Sequence, residues 1–246
     1  MEIRELTTHG DFADAVRLQR TIWNWSDLDI IPMRFFVVAR NIGGQTLGAF
    51  DGRTLAGFCL AIPAIKPNGH AYLHSHMLGV LNEYRDAGVG RQLKFAQRDA
   101  ALARGFDLIE WTFDPLEIKN AYFNIERLGA IVRRYARNQY GITSSPLTGG
   151  LPTDRCVAEW HIETGKDKEE PIDAKDTRSQ APPAVARISV PASIARIRQE
   201  DPDRARRIQS AIADQFIAHF AENLAVTGFE MTSDAGTYLL SPWPIE

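Results

Sequence analysis

Two hydrophobic periods alternate along the first 163 residues. Glu2 to Leu6 reads as a short strand, and Phe12, Ala15, Val16, Gln19, Ile22 and Trp23 then recur at helical spacing, with Asp11 as the expected N-cap. A second helix is expected to start at Pro32, where a missing N–H costs nothing, and to end before Gly43-Gly44. Thr46–Phe50 and Leu55–Ile62 flank Asp51-Gly52, a hairpin signal. Tyr72–Val80 reads as the next strand. Gly90–Arg104 reads as a helix with Leu93, Phe95, Ala96, Ala100 and Ala103 facing inward, stopped by Gly105. Phe106–Phe113 is a continuous apolar-rich strand, Asn120–Leu128 a short helix, and Ile131–Tyr135 and Val157–Ile162 can close the sheet. Strands alternating with helices in this way predict an α/β domain, a mixed central sheet flanked by helices.

Glu163 to Pro183 breaks the pattern. It is charged and proline-containing, with Ile172 its one large apolar residue, and too little burial is available to offset ordering. The expected organisation is therefore a main domain over 1–163, a linker or exposed loop over 164–183, and a small α+β extension over 184–246 that packs on the main domain. In that extension Ala186–Val190 reads as a strand, and Asp201-Pro202 opens a helix carrying Ile208, Ile212, Phe216 and Phe220. Ala225–Glu230 and Thr237–Leu240 can pair across Asp234-Ala235-Gly236.

Composition then removes several function classes. Lys plus Arg number 28 and Asp plus Glu 31, a net charge of −3, which argues against a general nucleic-acid binder. The longest apolar run, Leu55 to Ile65, is about half the roughly 20 residues that a membrane-crossing helix needs. Cys59 and Cys156 form no metal-ligand spacing, and no secretory signal is read at Met1–Gly10, so a cytoplasmic protein without a membrane partner is expected.

The most informative stretch is Tyr72 to Gln97. A strand ends in Leu78-Gly79-Val80, and Arg85-Asp86-Ala87-Gly88-Val89-Gly90 opens a helix. Gly88 and Gly90 permit backbone angles and close approaches that a side chain would block. Free N–H groups at a helix start converge there, where the helix dipole also favours an anion. A dinucleotide fingerprint fails at Leu93, where its third glycine should stand, and a Walker loop fails because Arg91-Gln92 follows Gly90. A turn with glycines for packing alone is the remaining alternative.

The order strand, Arg85-x-x-Gly88-x-Gly90, helix, strand, short helix resembles the acyl-CoA-binding core of the GNAT superfamily of N-acyltransferases. The run-up Leu78-Gly79-Val80 and the helix Ala121 through Leu128-Gly129 are similar to the flanking family motifs. The resemblance covers residues 1–163 and leaves the extension unassigned. It implies that N–H groups from Asp86 to Arg91 hold the pyrophosphate of acetyl-CoA or another short acyl-CoA, with Arg91 adding charge. It implies that the edge Leu78–Val80 pairs with the pantetheine, at a place where the two central strands splay, and that the Val80 N–H lies near the thioester oxygen. It implies transfer of the acyl group to a small-molecule or peptide amine, needs no metal, and allows a homodimer.

Transfer also requires a base and a proton donor. Family members commonly carry a Tyr four residues before the glycine that ends the short helix; here that position is Ile125, and Tyr122 is the substitute candidate. Glu110 stands amid Leu108, Ile109, Trp111 and Phe113, where a carboxylate is costly unless paired or used, and its structural alternative is an ion pair with Arg133 or Arg134. His74 and His76 are two apart, which in a regular strand places them on one face with Leu78 and Val80. His76 is taken as a second base candidate and His74 as an acceptor-binding residue. A metal held by this pair and Glu110 rests on weak spacing, and none is expected. Trp23, Trp25, Asp27 and Asp29 are the candidates for gripping a cationic acceptor, against core packing and capping of the second helix. Asp114 ranks behind them. The second reading, from another class, is a non-catalytic acyl-CoA-binding or regulatory module, which Ile125 favours. A nucleotide-binding protein of another type survives only if CoA does not bind.

Overall fold

The computed structural model describes residues 1–141, 149–162 and 182–243. The chain forms two compact units, one of residues 1–111 with the short return at 161–162, the other built from the described parts of 112–160 and 182–243. The composition break that suggested a linker lies almost wholly outside the described residues. The contacts instead divide the chain after Trp111, because residues 182–243 pack with residues 112–160 into a core of their own.

In the first unit, β1 (Glu2–Glu5), β2 (Gln45–Asp51), β3 (Thr54–Ile65) and β4 (Ala71–Val80) pair antiparallel in sequence order, and β5 (Leu108–Phe113) joins β4 in parallel. Helices α1 (His9–Trp23) and α2 (Met33–Asn41) cover one face through Phe12, Ala15, Phe36 and Ala39, packed on Phe58, Leu60 and Met77. Helix α3 (Val89–Leu102) covers the other, with Val89 and Leu93 against Ala49 and Cys59. The N-cap of α1 is Thr8 and not Asp11. Asp11 is the third residue of a capping box, its N–H bonded to Thr8 Oγ1 and its carboxylate accepting the Thr8 N–H.

The inner face of α3 also differs from the expected one. Leu93, Lys94, Gln97, Arg98 and Ala101 are buried, whereas Phe95, Ala96 and Ala100 are only partly so and Ala103 is exposed. The apolar letters suggested a stripe rotated from the true one, because three polar side chains occupy inward positions.

The second unit carries a sheet in the order β7 (Arg155–His161), β6 (Ile131–Ala136), β9 (Leu224–Met231), β10 (Ala235–Pro242), β8 (Ala186–Pro191). Helix α4 (Ile118–Tyr122) runs on as a π-turn over Phe123–Arg127, an extra residue that periodicity did not reveal. Helix α5 (Ile194–Glu200) was likewise not foreseen, and α6 (Pro202–Ala221) is capped as expected by Asp201, whose carboxylate accepts the Arg204 N–H. Phe216 and Tyr238 anchor this core edge to face at 5.0 Å, and the buried Tyr238 hydroxyl donates to the Pro115 carbonyl. Among the described residues no helix is long and apolar enough to cross a membrane.

Candidate functional site

The glycine turn is built around an uncapped helix start. A 3₁₀ turn, Asn82–Tyr84, leads from β4 to Arg85, Asp86 adopts φ +61°, and Gly88 at φ +77° is the N-cap of α3. Glycine has no side chain with which to cap, and the first helical bond runs from the Gln92 N–H to the Gly88 carbonyl. The N–H groups of Val89, Gly90 and Arg91 therefore lack intrahelical acceptors, the arrangement that receives an anion. A Cβ built on Gly90 would meet Leu78 Cδ2 at 3.6 Å and Val80 Cγ2 at 3.9 Å, ordinary contact distances. Packing within the protein thus does not demand glycine at 90. Gly79 is the opposite case: a Cβ there would stand 2.8 Å from the Trp23 ring. Arg85 turns back to the Val80 carbonyl at 3.4 Å, Ala87 sits exposed in the turn, and Arg91 lies over the Phe95 ring.

The β4–β5 ladder is two residue pairs long, Leu73 with Ile109 and His74 with Glu110. From Ser75 to Val80, all of β4 but His76 keeps ladder partners on β3, and its other edge carries no ladder among the described residues. A β-bulge interrupts the β3 pairing, since Leu60 faces Met77 and Ala61 faces Ser75, leaving His76 as the extra residue. The bulge corrects the expected side-chain pattern. Leu78 and Val80 pack with the α3 cluster, whereas His76 lies 6.0 Å from the Phe35 ring on the α1–α2 side, with His74 5.9 Å away. The two histidines do share a face, but Leu78 and Val80 are on the other.

Glu110, 3% exposed, lies on the histidines' face as the register partner of His74. Its carboxylate is 3.0 Å from Lys66 Nζ. The arginines expected as its alternative partners are elsewhere, with Arg133 and Arg134 both on Glu159. Burial foremost, then His76 and Lys94, hold His74 below the ordinary imidazole value, with Glu110 opposing. His74 is therefore a neutral imidazole at neutral pH.

The acceptor candidates have partners of their own. Trp23 and Trp25 stack at 4.6 Å, Asp27 pairs with Arg20 at 2.8 Å, and Ser26 donates to Asp29 at 3.5 Å. Neither aspartate caps α2, whose N-cap is Pro32 without a side-chain bond. Tyr122 belongs to the second unit, where the Arg127 guanidinium lies 5.7 Å from its ring, and Ile125 is fully buried there. Asp114, in the same unit, accepts the Leu116 N–H and pairs with the buried Arg198 at 2.7 Å, a structural role. Among the described residues no group of three or more His, Cys, Asp or Glu is placed to hold a metal.

One buried polar group was missed by the sequence reading. Lys94, 3% exposed, donates from Nζ to Ser75 Oγ at 2.9 Å and Gln97 Oε1 at 3.2 Å, with Nζ 3.7 Å from the Trp111 ring centroid. No apolar pattern could flag it. The available signal was a lysine one residue after Leu93, at inward helical spacing from Gly90 and Ala101.

No protein-family model matches the chain, and no curated protein matches it in sequence. Solved structures do. The ribosomal-protein-S18-alanine N-acetyltransferase from Escherichia coli superposes with a TM-score of 0.52 at 16% identity, covering 69% of this chain and 99% of that one. Aminoglycoside 6'-acetyltransferase type Ii gives 0.52 at 20% identity over 67% and 99% of the two chains. The yncA protein of Salmonella typhimurium, solved with its cofactor acetyl-CoA, gives 0.54 at 14% identity over 69% and 98%. The fold is the α/β fold of the GNAT N-acetyltransferases, with extra strands and helices towards the C-terminus.

Proposed function

We propose that this chain is an acyl-CoA-dependent N-acyltransferase that moves an acetyl or short acyl group to an amine by direct attack in a ternary complex. The observation that carries this reading is the uncapped start of α3, with a glycine at 90 that protein packing does not require. Structural similarity to N-acetyltransferases, one of them solved with acetyl-CoA, supports the donor class. In this reading the N–H groups from Asp86 to Arg91 hold the pyrophosphate, and the unpaired edge of β4 from Leu78 to Val80 receives the pantetheine amides. The Val80 N–H polarises the thioester carbonyl.

The amine nitrogen forms its bond to the carbonyl carbon as the carbon–sulfur bond breaks. Glu110 takes the amine's proton, with the neutral His74 and the exposed His76 on the same face as alternatives. Tyr122 is the proton donor to the thiolate that the sequence suggests. Trp23, Trp25, Asp27 and Asp29 offer aromatic and acidic contacts to a small-molecule or peptide amine. The competing reading, a non-catalytic acyl-CoA-binding module, is favoured by one observation, the fully buried Ile125 where a Tyr would serve as acid.

Calorimetric titration with acetyl-CoA, CoA and ATP tests the proposal. Micromolar binding of both CoA compounds with much weaker ATP binding is expected. Absence of CoA binding removes the transferase reading, and binding without turnover on an amine panel leaves the non-catalytic module.

A further inference from the structure

We propose that the cleft between the start of α1 and the end of α2 binds a small organic carboxylate that carries an apolar group, an aromatic or branched aliphatic acid. The inference stands on the cleft itself and does not rest on the acyltransferase reading.

Space is the first argument. Helices α1 and α2 pack together, and the Phe12 ring near the start of α1 lies 6.0 Å from the Phe36 ring of α2. Beside that contact they leave a cavity of about 330 Å³, at the lower end of the size range of small-molecule sites. Phe12 and the half-buried Val37 form its apolar wall, and His9, Arg40 and Asn41 stand around them. Phe12 is 3% exposed and belongs to the core of the first unit, so this wall is held in place by packing.

Charge is the second. The carboxylates close to the cleft are already engaged. Asp11 accepts from the Arg4 guanidinium and from the Thr7 and Thr8 N–H groups, and Glu5 accepts from Arg40 Nε at 3.2 Å. The groups that remain are donors. Among the described residues the two terminal nitrogens of Arg40 have no acceptor, and the side chains of His9 and Asn41 have no hydrogen-bond partner. Bound to Glu5 through Nε, the guanidinium keeps its two-pronged end for a second carboxylate, whose two oxygens match it.

Selectivity is the third. An inorganic anion would use the donors and leave the Phe12–Val37 wall in water. A neutral aromatic would cover the wall and leave the donors unanswered. A carboxylate with an apolar body uses both, burying apolar surface while it pairs with Arg40. Arg40 is itself exposed, so the affinity it confers is modest.

The test is titration of the full chain with benzoate, and with benzyl alcohol and sulfate as partial mimics, read by amide NMR shifts. Benzoate should saturate with a Kd of about 1 mM or below, its shifts concentrated in residues 7–12 and 37–41. Benzyl alcohol and sulfate should each bind at least about fivefold more weakly. Arg40→Met should weaken benzoate about tenfold, with Arg40→Lys recovering part of the loss. Asn41→Trp, which fills the cleft from the exposed end of α2, should abolish binding and supplies the test should Arg40→Met fail to fold. No saturation by about 20 mM benzoate, or shifts centred elsewhere, overturns the proposal. Equal binding of benzyl alcohol or sulfate overturns it too, as does unchanged benzoate affinity in a folded Arg40→Met or Asn41→Trp variant. CoA takes part in none of these measurements, so their outcome is separate from that of the acyltransferase reading.

Discussion

His74 and Glu110 are the last register partners of the β4–β5 ladder, and past them β4 continues with one edge that carries no ladder among the described residues. A nearly buried carboxylate, its partner Lys66 and a neutral imidazole thus stand where the described ladder ends. If Glu110 takes the amine proton, Glu110→Gln should lower kcat by about a hundredfold or more, in the range of general-base losses, with CoA affinity unchanged. Steady-state rates with an accepted amine check this. Equal rates for variant and parent would return Glu110 to an ion-pair role with Lys66.

Gly90→Ala separates a ligand-driven glycine from a packing one. The added Cβ would find ordinary contacts with Leu78 and Val80, so the thermal midpoint should stay within a few degrees. A phosphate lying on the first turn of α3 needs that space, and CoA affinity should fall at least about tenfold. Calorimetry beside thermal melting reads both. Unchanged affinity would show that the phosphates bind elsewhere.

The backbone of the candidate site was legible because its features are written in backbone chemistry. The glycines at 88 and 90, the strand before them and the helix after them can be read from letters, since few other residues adopt φ +77° or leave a helix start uncapped. What was illegible depends on registers that letters do not carry. The bulge at His76 reverses the faces of Leu78 and Val80 relative to the histidines, and the π-turn at Phe123–Arg127 inserts a residue into a helix that looked regular. Lys94 and Gln97 were not among the residues read as inward, because hydrophobicity sorts residues by type. Here each satisfies the other, and Ser75 and Cys59 complete the set. Burial of a polar cluster is a tertiary fact, settled by partners that lie on three different elements.

Asp11 ties the start of α1 to β1. Its carboxyl is held well below the usual carboxylate range by the Arg4 guanidinium first, and by the Thr8 and Thr7 N–H groups, with burial opposing. A carboxylate whose folded value is depressed stabilises fully above its unfolded value and loses that contribution as pH falls towards the folded one. Asp11→Asn should therefore cost roughly 1 kcal/mol at pH 7, a typical capping loss, and progressively less below about pH 4. Urea midpoints of the two proteins at pH 7 and pH 3 measure the difference. A gap as wide at pH 3 as at pH 7 would assign the loss to packing and not to charge.

Lys94 should leave the opposite signature at alkaline pH. Burial lowers its folded value to about 7 from the 10.5 of an exposed lysine, so between those values the unfolded chain binds the proton and the folded chain does not. Stability linked to this group must then rise with pH across that window, and the cost of the buried charge is carried in full below it. Lys94→Met removes the cost and fills the same space with an unbranched apolar chain that can lie against Trp111. The variant should unfold at a higher urea concentration than the parent at pH 7, and the gap should close as pH approaches 10. The parent-minus-variant difference cancels other alkaline titrations, those of tyrosines and cysteines included. A variant less stable than the parent at pH 7 would mean that the ammonium's bonds to Ser75 and Gln97 outweigh its desolvation.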